Sequence, residues 1–232
     1  MTLTDIEQHY RTSLPPLYRR LHEAGMLDWM GGYGDPLPEN IDWVKDIYPK
    51  LHDNPPALFH TGGDLLMMTP RQIVAYEIPE EWDTQRYTIV PFARGIEENV
   101  FAFVRERDSD EEPMVALLWE DDTEGQIIAK NFEDFLFRTM VEAAAEFDRE
   151  QTDSEYRGTD NPAEAYRADI LRDLETIRPW LRPEYVADLE ELYHGRTGST
   201  LVSYYFEGSR PAETILKERI AFPRMNEEIE VG

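Results

Sequence analysis

Five histidines, 13 glycines, four lysines and 48 acidic residues are the groups in this chain that could hold a metal, cradle a phosphate or move a proton. His22 is followed by Glu23, but a zincin helix needs a second histidine where Met26 stands. His9, His52, His60 and His194 show no paired ligand spacing, and histidines so isolated read as packed or solvated side chains. No metal site is expected from them. No serine sits in a Gly-x-Ser-x-Gly elbow, and without cysteine there is no thiolate nucleophile, disulfide or cysteine-zinc cluster. Gly32 and Gly34 begin a dinucleotide-like spacing, yet Leu37 occupies the third glycine position, so a loop of turns accounts for them. Lys45, Lys50, Lys130 and Lys217 have no phosphate-loop context.

Carboxylates are the remaining chemistry. Residues 106 to 112 hold five acids in seven positions, and Glu120, Asp121, Asp122 and Glu124 follow. Neither run has the calcium-loop spacing with its central glycine and terminal glutamate. Acids adjacent in hairpin loops ordinarily stay solvated and separate, so no catalytic residue, metal or cofactor is assigned. Their concentration is the informative part: residues 101 to 150 carry 15 acids against 5 bases, 10 of the 25 net negative charges.

A formal charge of −25 excludes partners of the same sign. Nucleic-acid phosphates and anionic membrane surfaces would both be repelled. The 41% apolar fraction, with 12 Tyr, 10 Phe and 5 Trp, is too high for a disordered acidic chain, so the protein folds. Met1 to Arg20 carries Asp5, Glu7, Arg11, Arg19 and Arg20 with no unbroken apolar stretch, so it does not read as a signal peptide, and no run approaches the ~18 apolar residues of a spanning helix. With the cysteine-free composition, these features point to the cytoplasm.

The elements that must carry those acids follow from periodicity. Thr4 with Glu7 suggests a capping box for a first helix, and Pro15 and Pro16 open a second that Gly25 stops. Residues 29 to 38 read as a loop, and Asn40 as the cap of a short helix over 41 to 51. Leu65 to Met68, Tyr87 to Val90, Val100 to Val104, Met114 to Trp119 and Gln126 to Lys130 have the length and bounds of strands in a meander. The unbroken apolar run at Val100 to Val104 suggests a strand covered on both faces. Asn131 caps an amphipathic helix through Phe147. The polar stretch 148 to 160 marks a boundary, after which Asn161-Pro162 and Pro183 start further helices. Leu201 to Phe206 fits either a strand or a buried helical turn, and Ile215 to Phe222 ends the pattern. The expected fold is α+β: N-terminal helices, a mostly antiparallel sheet and a closing helix over 1–148, then a mainly helical extension, 149–232, packed on that domain.

With these elements placed, the sequence resembles the SUKH superfamily, the Smi/Knr-type proteins. The first block is Ile6 through Gly25, with Leu14-Pro15, Tyr18, Leu21 and the glycine stop. The second runs from Ile89-Val90-Pro91-Phe92-Ala93 through Phe101, Phe103 and the strand Val115 to Trp119. It closes on Ala129-Lys130-Asn131-Phe132-Glu133-Asp134-Phe135-Leu136, similar to the family's Phe-x-x-Phe-Leu helix start. The likeness covers about residues 4 to 147 and nothing after Asp148. It implies binding rather than catalysis: many bacterial relatives are immunity proteins that neutralise a cognate toxin, often a nuclease, in polymorphic-toxin or contact-dependent competition. A nuclease is basic where it meets phosphate, so an acidic surface would be drawn to it. The expected contact residues are Glu97, Glu98, Glu120, Asp121, Asp122 and Glu124, with Trp119 and Tyr87 as aromatic anchors. A regulatory scaffold of the same superfamily is the alternative reading, and a metal-dependent hydrolase ranks last.

Overall fold

A computed structural model describes residues 1–63, 65–95 and 98–232. In chain order the elements are α1 (Leu3–Tyr10), α2 (Pro16–Glu23), a π-turn (Trp43–Ile47), α3 (Tyr48–Asp53), β1 (Leu66–Met67), α4 (Pro70–Ala75), β2 (Tyr87–Arg94), β3 (Asn99–Glu106), β4 (Met114–Trp119), β5 (Glu124–Ala129) and α5 (Phe132–Ala145). There follow β6 (Phe147–Asp148), α6 (Arg149–Glu155), α7 (Pro162–Ile177), a 3-10 turn (Arg178–Trp180), α8 (Pro183–Tyr193), β7 (Arg196–Ser199), β8 (Ser203–Glu207), α9 (Ala212–Ile220) and β9 (Glu228–Glu230). The chain is α+β, as the patterning implied: N-terminal helices, a six-stranded antiparallel sheet and a mostly helical C-terminal region. Among the described residues no helix is long and apolar enough to cross a membrane.

Contacts divide the chain into two compact units that interleave in sequence: 1–42, 64–135 and 222–232 form the first, and 43–63 with 136–221 the second. Residues 43–63 therefore group with the later helices, and the last segment returns to the first sheet.

In the first unit the sheet order is β1-β2-β3-β4-β5-β9 with every pairing antiparallel. Ala102, Phe103 and Val104 are consecutive and all buried, so β3 is covered on both faces, as its unbroken apolar run required. Aromatic rings gather at the centre. Phe92 of β2 stacks on Phe103 of β3 at 4.4 Å, Tyr18 of α2 meets Phe103 and Phe132 edge-on at 5.2 Å each, and Phe135 lies 5.4 Å from Phe92. Tyr18 and these four Phe rings are at most 2% exposed. Edge-to-face rings gain from the ring quadrupole as well as from burial.

Local chemistry sets most helix ends. Asn131 accepts from Asp134 N at 2.9 Å, Asn161 from Glu164 N at 3.4 Å, and Gly25 takes a left-handed φ of 75° just beyond α2. The first cap differs from expectation. Thr2, not Thr4, closes a capping box with Asp5, because Glu7 is occupied by Leu14 N at 3.0 Å and by Arg19. The helix expected from Asn40 is a π-turn followed by the short α3. Two helices carried no apolar stripe to reveal them: α4, boxed by Thr69 and Gln72, and α6, capped by Asp148 within the polar stretch.

In the second unit Phe137 of α5 stacks on Tyr185 of α8 at 3.8 Å, and the Tyr193 hydroxyl donates to Met140 O at 2.8 Å. Leu201 to Phe206 resolves as strand: β8 lies between β6 and β7 in a three-stranded sheet. One buried carboxylate fastens the 43–63 segment to α7. Asp173 Oδ2 accepts His60 N at 2.9 Å, Thr61 N at 2.8 Å and Thr61 Oγ1 at 2.8 Å. Burial pushes the Asp173 carboxyl up to about 7, opposed by those three bonds.

Two substitutions test this account. Phe103→Ala should cost ~3–5 kcal/mol by leaving a cavity among the rings. A urea titration should show a lower midpoint, and a loss below ~1 kcal/mol would mean the cluster is not the core. Asp173→Ala strands three donors, two of them buried, and should cost about 3 kcal/mol in thermal unfolding. Asp173→Asn, which keeps an acceptor oxygen, should cost less.

Candidate functional site

The antiparallel register decides which acids meet. Asn99 lies across from Trp119 and Val100 from Leu118, so the turn entering β3 and the turn leaving β4 emerge at the same end of the sheet. Glu120 N donates to Glu98 O at 3.0 Å, which ties the two turns together. Glu124 then starts β5 opposite Glu230 of β9, and Gln126 lies opposite Glu228. Glu98, Glu120, Asp121, Asp122 and Glu124 are thus brought to one end of the sheet, all exposed, with exposed Glu228 and Glu230 beside them. Glu97 lies outside the described residues.

The backbone beneath these acids is held in place. Buried Trp82 donates Nε1–H to Asp122 O at 2.9 Å, and Asp122 Oδ1 accepts Thr123 N at 2.7 Å and Glu124 N at 3.2 Å, closing the turn on itself. Tyr76 donates its hydroxyl to Glu120 Oε1 at 3.1 Å. Burial first, and the Glu120 carboxylate second, raise the Tyr76 pKa, so the hydroxyl stays a donor. The Arg94 guanidinium lies 5.6 Å over the Tyr76 ring.

Among the described residues, none of the five exposed acids, nor Glu228 or Glu230, has a cationic side chain within 4.0 Å. Fixed like charges left unpaired project a negative potential outward from the sheet end. Trp119 is half-buried at the margin of this surface. Tyr87 is not part of it. It begins β2 at the opposite end, paired with Glu106, 5% exposed, with the Arg86 guanidinium 4.8 Å from its ring.

The other acidic run, Glu106 to Glu112, also lies at that far end, where the surroundings differ. Arg86 is 3.9 Å from Glu106, and Arg107 donates to Thr84 O at 2.5 Å. Burial, then the charges of Asp134 and Glu133, raises the Glu112 pKa. Glu106 thus has a cationic side chain within 4.0 Å, whereas among the described residues none of the acids at the other end does. Residue spacing missed Tyr76, Trp82, Glu228 and Glu230. They come from a loop and a late strand whose approach depends on tertiary pairing, and no local signal marks them.

Exposed acids so placed would attract cationic groups. No curated protein and no solved structure matches the chain. The profile of the SMI1/KNR4 family (SUKH-1) matches residues 2–138. That span takes in both blocks that carried the resemblance, the N-terminal helices and the strands leading into α5, and it exceeds half the chain: this protein belongs to the SMI1/KNR4 family (SUKH-1).

Proposed function

We propose that the protein is a non-enzymatic immunity protein of a bacterial polymorphic-toxin or contact-dependent competition system. In this reading it acts in the cytoplasm, where it binds a cognate basic toxin, of the nuclease class, and occludes its active site or substrate groove. Family membership is consistent with an immunity-type role. The observation that carries the reading further is the row of exposed carboxylates with no cationic side chain within 4.0 Å, among the described residues, at one end of the sheet. The binding module is the family-like part, 1–148, and 149–232 is an extension to it. The contact surface comprises Glu98, Glu120, Asp121, Asp122 and Glu124, with Glu97 adjoining in sequence and Trp119 as the aromatic anchor at its edge.

Charge would act mainly on encounter. A field of this sign raises the association rate for a basic partner by ~10 to 10³ over a neutral pair, and salt removes most of that gain. An anchor such as Trp119, by contrast, would act on the dissociation rate.

The test is co-expression with the toxin encoded beside the gene, followed by stopped-flow association of the purified pair. Changing Glu120, Asp121, Asp122 and Glu124 together to Gln, Asn, Asn and Gln should slow association about tenfold or more at low salt. The same variant should melt close to the parent, because the amides keep acceptor oxygens for Tyr76 and for the turn at 122–124 while like-charge repulsion between exposed positions falls. Trp119→Ala should leave the association rate nearly unchanged and cost ~2 kcal/mol of affinity. No rescue of growth and no complex in calorimetry would sink the immunity reading. Binding to a cellular protein that is indifferent to salt would favour the scaffold instead.

A further inference from the structure

The second unit contains a cluster that the acidic surface does not use. His52 near the end of α3, His60 in the turn that follows and Asp169 in the middle of α7 each offer a ligand atom, and these atoms all lie within 4.8 Å of one another. His52 Nε2 is 3.5 Å from Asp169 Oδ1, and His60 Nδ1 is 4.0 Å from Asp169 Oδ2. The two imidazole rings meet edge to face at 5.1 Å. We propose that His52, His60 and Asp169 form a binding site for one divalent transition-metal ion of the zinc type.

Three observations support the assignment. The separations are too long for hydrogen bonds, so the carboxylate stands beside both rings without being bonded to either. The His60 side chain is only 7% exposed and sets its Nδ1 4.0 Å from the carboxylate, so this nitrogen donor is held out of water beside Asp169. Finally, Asp169 already has an orienting partner, since the Tyr156 hydroxyl donates to its Oδ2 at 2.7 Å, the kind of outer contact that fixes a ligating carboxylate.

The ligand types choose the ion. Two imidazoles and one carboxylate suit zinc and its neighbours, whereas magnesium and calcium take oxygen ligands. Metal–ligand bonds of ~2.0–2.1 Å would bring the three atoms to about 3.3 Å apart, so the side chains must draw in by about 1 Å. One group opposes the ion. Arg172, 39% exposed, pairs with Asp169 Oδ1 and must swing into solvent to release it.

The experiment uses the full chain, stripped with a chelator and titrated with Zn²⁺ by calorimetry in excess Mg²⁺ to saturate weak carboxylate sites. Co²⁺ is added in parallel to read the visible absorption of a nitrogen-ligated site. One ion per chain is expected, with a rise in melting temperature. His52→Ala changes a partly exposed side chain and should weaken Zn²⁺ binding by ~100-fold or more, while Tyr156→Phe should weaken it about tenfold. Arg172→Ala should tighten binding, a sign that adventitious surface binding would not show. Absence of saturable binding, or binding that His52→Ala and Arg172→Ala both leave unchanged, overturns the site. Neither outcome bears on the acidic end of the sheet, because toxin binding is read in a separate assay.

Discussion

Burial of the aromatic cluster around Phe103 is the interaction on which the first unit depends. Like charges that sum to −25 work against any compact state, and the exposed acids gather on the turns that join the strands. Tyr18, Phe92, Phe103, Phe132 and Phe135 supply opposing apolar area at one point, drawing α2, two neighbouring strands and the start of α5 together. Ring contacts here also hold the register of β2 against β3, and β3 carries β4 with it. That register puts Glu98 beside Glu120, so the electrostatics of the sheet end are a consequence of packing at its middle.

Much of this was legible because it is local. Asn131 and Asn161 announce their helices by cap chemistry, Pro16, Pro162 and Pro183 suit first turns, and the strands of the meander read from short apolar runs between turn residues. What escaped is what pairing partners decide. Thr2 wins the first cap because Glu7 is engaged elsewhere, and β9 is strand only because β5 offers it an edge. The helix α6 is polar throughout and betrays itself only through Asp148.

The candidate sites differ in the same way. The acids at 120–124 form a run in the sequence, and their gathering with Glu98 follows from a hairpin connection that the sequence already implied. Tyr87 was the misleading member: its type suited an anchor, but strand direction places it at the other end, buried. His52 and His60 stand eight positions apart with Asp169 more than a hundred residues later, so no spacing rule could join them. Only the docking of the 43–63 segment on α7, through Asp173, makes neighbours of them.

The three residues of β9 also bear on how copies of the protein meet one another. An edge strand offers unpaired amides and carbonyls to any passing chain, and the strands behind this edge are largely apolar. Glu228 and Glu230 flank buried Ile229 on a strand too short to template a long partner. A second copy approaching in register would set carboxylate against carboxylate, as Glu124 already faces Glu230 across the existing pair. The charge that would draw in a basic protein would thus also oppose the addition of a second copy at this edge of the sheet.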